Sequence, residues 1–178
     1  MGKKLSEMSL EELWQLFPIV LTEHKDVWSV WFEEEKEILA SLLPDYDVIH
    51  HIGSTAIKDI WAKPIIDILI EVPSENDLLI AKDILVTNGY ICMCQDKTRC
   101  SLNKGYTENG FAERVFHIHL RIDGDNIEIA FRDLLNSDEK LAGEYEKLKL
   151  SLWKKYEHDR DGYTQAKTEF VEKCNRMI

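Results

Sequence analysis

The apolar positions change period several times along the chain. The opening run MGKKLSEMSLEELWQLF reads as an amphipathic helix with Ser9 placed as a cap, so residues 1–24 form a helical extension. Over 27–43, Trp28, Trp31, Ile38, Leu39 and Leu42 fall at helical spacing, and Glu33, Glu34, Glu35, Lys36 and Glu37 supply a solvated face before Pro44 stops the helix. YDVIHHIGS reads as a short strand running into a loop at Gly53. KPIIDILIEV, bounded by Pro64 and Pro73, reads as a buried strand over about 65–72. Ser74 caps a helix over 75–88 that Gly89 ends. A strand near 90–94 follows, then a polar, glycine-containing loop at 103–110, a strand over 113–122 and a turn at 123–126. From Ile127 the pattern is helical. Leu141, Tyr145, Leu148, Leu152 and Tyr156 make one stripe, and Tyr163, Ala166, Phe170, Cys174 and Met177 make another. With no repeat or low-complexity linker, the expectation is one α+β domain over 1–178: a small mixed β-sheet flanked by helices, with a C-terminal helical annex from about 127.

Charge narrows the function classes. The formal net charge is −11, and it is uneven: residues 1–90 hold 7 Lys and Arg against 17 Asp and Glu, whereas 91–178 hold 15 against 16. Sequence-independent nucleic-acid binding needs a basic footprint, so nucleic acid is not an expected partner, while a small anion held in a local pocket remains open. The cysteines, Cys92, Cys94, Cys100 and Cys174, form no C-x-x-C pair. Cys92 and Cys94 share a strand face in this reading and are expected as small core residues. No secretory signal, lipidation motif or transmembrane run is visible, which makes a cytoplasmic, reducing location the default expectation.

The chemistry-bearing stretch is His51-Ile52-Gly53-Ser54-Thr55 followed by Lys63-Pro64-Ile65-Ile66-Asp67. A glycine and two hydroxyls where a strand enters a loop can present N–H and O–H donors to a phosphate. Asp67 interrupts an apolar run. Buried alone it would cost several kcal/mol, so it needs a metal, a cation or a set of donors, and Lys63 just before the strand is one such cation. A structural aspartate bonded to loop amides is the plainer alternative.

HIGSTAIKDIWAKPIIDILI resembles the GrpB-family signature, H-I-G-S-T-A followed by A-K-P-I-I-D. FHIHL (116–120), AFRDLL (130–135) and the Tyr145/Lys149 and Tyr163/Lys167 pairs agree, so the resemblance spans about residues 25–175. GrpB-like proteins are similar to the nucleotidyltransferase superfamily of the polymerase beta type. The resemblance implies Gly53, Ser54 and Thr55 on nucleotide phosphates and strand carboxylates on Mg²⁺ or Mn²⁺, with Asp67 and Lys63 catalytic. The superfamily pattern D-x-D/E puts two carboxylates on one strand face about 6.6 Å apart. Here the second position is Leu69, and Glu71 lies about 13 Å along the strand, beyond one metal clasp. Further ligands would have to come from neighbouring strands, where His117 and His119 point the same way; Asp125 and Glu128 are weaker candidates.

His51 lies on the opposite strand face from His50 and is expected to orient the Gly53 loop. Arg132 and Asp133 are poorly spaced to pair with each other, which leaves Arg132 as a phosphate clamp or as part of another salt bridge. Lys149 and Lys167 either snorkel to solvent or supply cations to a triphosphate from an annex closing over the sheet. The leading expectation is a metal-dependent nucleotidyltransferase acting on a nucleoside triphosphate and a small-molecule or protein acceptor. The alternative is a non-catalytic nucleotide or phospho-metabolite binding protein on the same fold.

Overall fold

The computed structural model describes residues 3–178. After a 3-10 turn at Leu5–Glu7 come helices α1 (Leu10–Leu16) and α2 (Val27–Leu42), strand β1 (Ile49–Ile52), a second 3-10 turn (Ser54–Ala56), strand β2 (Ile66–Val72) and helix α3 (Glu75–Thr87). Strands β3 (Ile91–Gln95), β4 (Arg99–Thr107) and β5 (Gly110–Ile122) follow. Helices α4 (Ile127–Ser137), α5 (Glu139–Trp153), α6 (Arg160–Ala166) and α7 (Thr168–Asn175) complete the chain. The five strands form one mixed sheet in the order β1-β2-β5-β4-β3; β2 and β5 are parallel and every other neighbouring pair is antiparallel.

Side-chain alternation gives the sheet two unlike faces. Ile66, Ile68, Ile70 and Val72 of β2, with Phe116, Ile118 and Leu120 of β5, pack against Trp28, Phe32 and Leu39 of α2 and Leu78, Ala81 and Leu85 of α3. The intervening positions Asp67, His117 and His119 therefore face the other way, toward the C-terminal helices. There Leu135, Leu141, Ala142, Tyr145 and Cys174 pack with Ile57 and Ile60 of the loop between β1 and β2. Ile19, Leu21 and Tyr163 make a further cluster with Trp61 and Trp153, which ties the N-terminal segment to α6.

Several local expectations change. Residues 103–110 are not a loop: β4 runs to Thr107 and joins β5 at Gly110 through Glu108-Asn109. Gly105 lets polar residues stay in a strand there. Its φ is 90°, and a bulge between Lys104 and Tyr106 brings the chain so close to the Arg114 backbone that no Cβ would fit. Tyr106 and Phe111 then close the hairpin, with ring centroids 5.2 Å apart. Cys92 and Cys94 are exposed rather than core, because the register shifts between them and β3 lies at the sheet edge. Glu35 leaves the solvated face of α2. It is buried and accepts hydrogen bonds from Tyr90 and, at 2.8 Å, from Lys104. Ile38 and Met177, placed on apolar stripes, are exposed. The first helix ends at Leu16, and Phe17 turns in against Tyr106 and Phe111.

Candidate functional site

Parallel pairing of β2 with β5 sets Asp67 beside His117 and Leu69 beside His119. Asp67 Oδ1 lies 2.9 Å from His119 Nε2 and 3.3 Å from His117 Nδ1. Since an ionised carboxylate only accepts, both facing ring nitrogens carry protons and donate. Burial alone would push the Asp67 carboxyl up, but the hydrogen bonds from His117 and His119 outweigh it and hold the group well below the usual carboxylate range. Burial, the largest influence on His117 itself, lowers the affinity of that ring for a second proton. The free nitrogen of His117, Nε2, is 2.8 Å from the Tyr106 hydroxyl, which in turn accepts from Arg160 at 2.8 Å. A row of polar contacts thus runs from Arg160 through Tyr106 and His117 to Asp67.

Gly53 closes the other side of Asp67. Its φ is 71°, and a Cβ there would lie 2.5 Å from Asp67 Oδ2, so only glycine fits. Ser54, which opens the following 3-10 turn, lines the same cavity. Thr55 does not: it is buried, donates to the Ile65 carbonyl at 3.1 Å and accepts from His51 Nε2 at 2.9 Å. His51 stacks on Phe32, and burial pushes its pKa down to about 4, so the ring is neutral and ties the turn to β1.

The cavity over this face has a volume of about 710 Å³, and its cationic residues are Lys63, Lys149, Arg160 and Lys167. Burial pushes Lys63 and Lys149 down to about 7 and Lys167 to about 8, and Lys63 also feels Arg160, Lys167 and Lys149 as like charges. Neither Lys149 nor Lys167 snorkels free. Lys149 is 1% exposed and donates to the Trp61 carbonyl, and its Nζ lies 4.8 Å from the Tyr145 ring centroid. Lys167 Nζ lies 4.4 Å and Lys63 Nζ 5.5 Å from the Tyr163 ring centroid, on which both cations converge.

Of the residues singled out by sequence, the fold brings Gly53, Ser54, Lys63, Asp67, His117, His119, Lys149 and Lys167 to one cavity. Arg132 is turned elsewhere, donating to the His51 carbonyl at 2.7 Å, and it does pair with Asp133, at 2.7 Å, despite the adjacent spacing. Asp125 is held by Arg99 at 2.6 Å and Glu128 lies 3.6 Å from Arg121, while Glu71 accepts from Gly124 and Asn126; all three point away from metal binding with Asp67. Sequence reasoning missed Arg160 and Tyr106. Arg160 stands three and seven residues before Tyr163 and Lys167, so extending that helical stripe backwards by one step reaches it. Tyr106 was hidden by reading its strand as a loop.

Magnesium is one of the two ions, with manganese, that the superfamily resemblance implies. Mg²⁺ prefers oxygen ligands in an octahedron and usually takes more than one carboxylate or phosphate. Among the described residues, Asp67, His117 and His119 form the one group of three potential ligands, and two of those are imidazole nitrogens. These residues do not fit a resident Mg²⁺.

Comparison with known proteins agrees with the architecture. The chain is 35% identical over 161 residues to the glutamate-rich protein GrpB of Alkalihalophilus pseudofirmus, covering 86% of this chain and 92% of that one. It is 31% identical over 175 residues to the UPF0157 protein YqkA of Bacillus subtilis, of whose length it spans half. The crystal structure of GrpB from Enterococcus faecalis superposes with a TM-score of 0.77 at 27% identity, over 89% of this chain and 96% of that one. Structures of the Cid1 poly(U) polymerase share the fold more distantly. One described for its RNA terminal uridylyl transferase activity has a TM-score of 0.51 at 17% identity, covering 73% of this chain and 40% of that one. The fold is therefore nucleotidyltransferase-like, and no helix among the described residues is long and apolar enough to cross a membrane. The GrpB protein family model matches residues 18–176, and the chain belongs to the GrpB family.

Proposed function

We propose that the protein binds the polyphosphate of a nucleoside triphosphate in the cavity between the sheet and the C-terminal helices. One observation carries this reading: Lys63, Lys149, Arg160 and Lys167 converge on one cavity in a chain whose net charge is −11. Crowding cations in a buried space is costly, and a polyanion is the ligand that relieves it. Gly53 and Ser54 lie across the cavity, where an N–H or hydroxyl donor suits a phosphate oxygen. On the nucleotidyltransferase-like fold, the activity that follows is transfer of the nucleotidyl group. A small-molecule or protein hydroxyl attacks the α-phosphorus and releases its proton to water, the bond to the β-phosphate breaks and pyrophosphate leaves. The four cations stabilise the charge that builds on the leaving group.

Leu69 favours a second reading, non-catalytic binding. It occupies the second carboxylate position and is fully buried, so β2 offers a single acidic side chain to the cavity. One experiment separates the readings. Tag-free protein is titrated calorimetrically with each of the four ribonucleoside triphosphates, and pyrophosphate release is followed with candidate acceptors. Saturable binding lost in Lys167→Ala supports the site, and release of pyrophosphate abolished in Asp67→Ala supports transfer. Binding without release supports the non-catalytic reading, and the absence of binding refutes both.

A further inference from the structure

We infer that Asp67, His117 and His119 hold a first-row transition-metal ion of the Fe²⁺, Co²⁺ or Zn²⁺ class, and not magnesium. The inference goes beyond the nucleotide reading and stands without it. The donor set is one carboxylate and two imidazoles. Imidazole suits these ions, whose affinity for nitrogen sites exceeds that of magnesium, whereas Mg²⁺ selects oxygen.

The two distances from Asp67 to the rings are already those of a coordination sphere. Ligands about 2.1 Å from an ion stand about 3.0 Å apart along an octahedral edge and about 3.4 Å along a tetrahedral one. Asp67 Oδ1 lies 2.9 Å from His119 Nε2 and 3.3 Å from His117 Nδ1, and the three atoms all fall within 4.8 Å of one another. An ion would take the place of the two protons now lying between the carboxylate and the rings.

The surroundings of His117 match as well. A ligating imidazole is ordinarily fixed through its far nitrogen, and that of His117 is held at 2.8 Å by Tyr106, itself fixed by Arg160. His119 offers its facing nitrogen to Asp67 alone, and its buried Nδ1 has no hydrogen-bond partner among the described residues. Hydrogen bonding therefore does not commit that ring to any competing acceptor. The three ligands lie on one face of the sheet and open on the cavity, which leaves room for a water or a phosphate oxygen on the ion.

The test needs no nucleotide, so its failure is distinct from a failure of nucleotide binding. Tag-free protein is stripped with a chelator and dialysed against Co²⁺ or Zn²⁺ in the presence of millimolar Mg²⁺. Bound metal is then measured by atomic emission, and Co²⁺ additionally by its visible absorption. The expected result is a single transition ion retained per chain, undiminished by Mg²⁺, with affinity lowered at least about tenfold in His119→Ala. A Cys92→Ser, Cys94→Ser double variant should retain the ion, because the exposed thiols are the competing soft ligands. Failure of the wild-type protein to retain any of these ions, displacement by Mg²⁺, or loss in the cysteine variant with retention in His119→Ala overturns the inference. The wild-type measurement decides the matter even where His119→Ala fails to fold.

Discussion

Nucleotide affinity should fall steeply between pH 7 and pH 9, and the structure gives the size of the fall. Without ligand, burial and mutual repulsion depress Lys63 and Lys149 to about 7 and Lys167 to about 8. A bound polyphosphate stabilises the charged forms and raises all three values, so binding takes up protons. The sign follows: below pH 7 the lysines are already charged and affinity is highest, and above it each must be recharged at the ligand's expense. If the bound form stays protonated, the move from pH 7 to pH 9 weakens binding about 50-fold for a lysine at 7 and about tenfold for one at 8. Losing the first proton relieves the other cations, so the factors do not multiply fully, and one lysine, about 50-fold, is the floor. The ligand contributes little, because a phosphate monoester loses its last proton near about pH 6. Calorimetric titration at pH 7, 8 and 9, repeated in buffers of different ionisation enthalpy, measures both affinity and proton uptake. Affinity that is flat or rises over this range, with no proton uptake, would refute the electrostatic account of the cavity.

Other consequences follow from single contacts. Gly53→Ala puts a Cβ 2.5 Å from Asp67 Oδ2 at a φ of 71° and should cost about 1–3 kcal/mol in urea unfolding; a neutral substitution contradicts the close approach. Glu35→Ala strands the buried Tyr90 hydroxyl and should cost about 2–4 kcal/mol, whereas Glu35→Gln, which keeps the packing and an acceptor, should cost less; equal losses would contradict this. In the native protein a thiol reagent should label Cys92 and Cys94 promptly and reach Cys100 and Cys174 only on unfolding, as mass spectrometry of the labelled peptides would show.

The parts of this fold that were legible in the sequence are those where periodicity and punctuation agree. β2 is apolar throughout its inward positions and bracketed by Pro64 and Pro73, and Asp67, set between Ile66 and Ile68, marks the site. α3 has a capping Ser74, whose side chain accepts from Asp77, and a terminal Gly89. The tip of the β4–β5 hairpin, residues 103–110, was not legible, because its residues are polar and what makes it strand is pairing with β5, a long-range contact that no local pattern reports. Cys92 and Cys94 alternate as core residues should, yet β3 is the edge of the sheet, and edge position is a property of strand order. Glu35 sits in an acidic run whose other members are solvated, and only Lys104 and Tyr90, arriving from distant β4 and the β3 entry, make its burial tolerable. Of the candidate site, Gly53, Ser54, Lys63, Asp67, His117, His119, Lys149 and Lys167 were all singled out in the sequence. Arg160 and Tyr106, which complete it, are brought in by tertiary packing.

The central claim is that the four cations of the cavity receive a polyphosphate. The most direct measurement is a crystal structure of the protein soaked with a nucleoside triphosphate. The account predicts phosphate oxygens within hydrogen-bonding distance of at least two of Lys63, Lys149, Arg160 and Lys167, with Gly53 and Ser54 across the cavity. Nucleotide bound elsewhere on the surface, with this cavity holding only solvent, would contradict it.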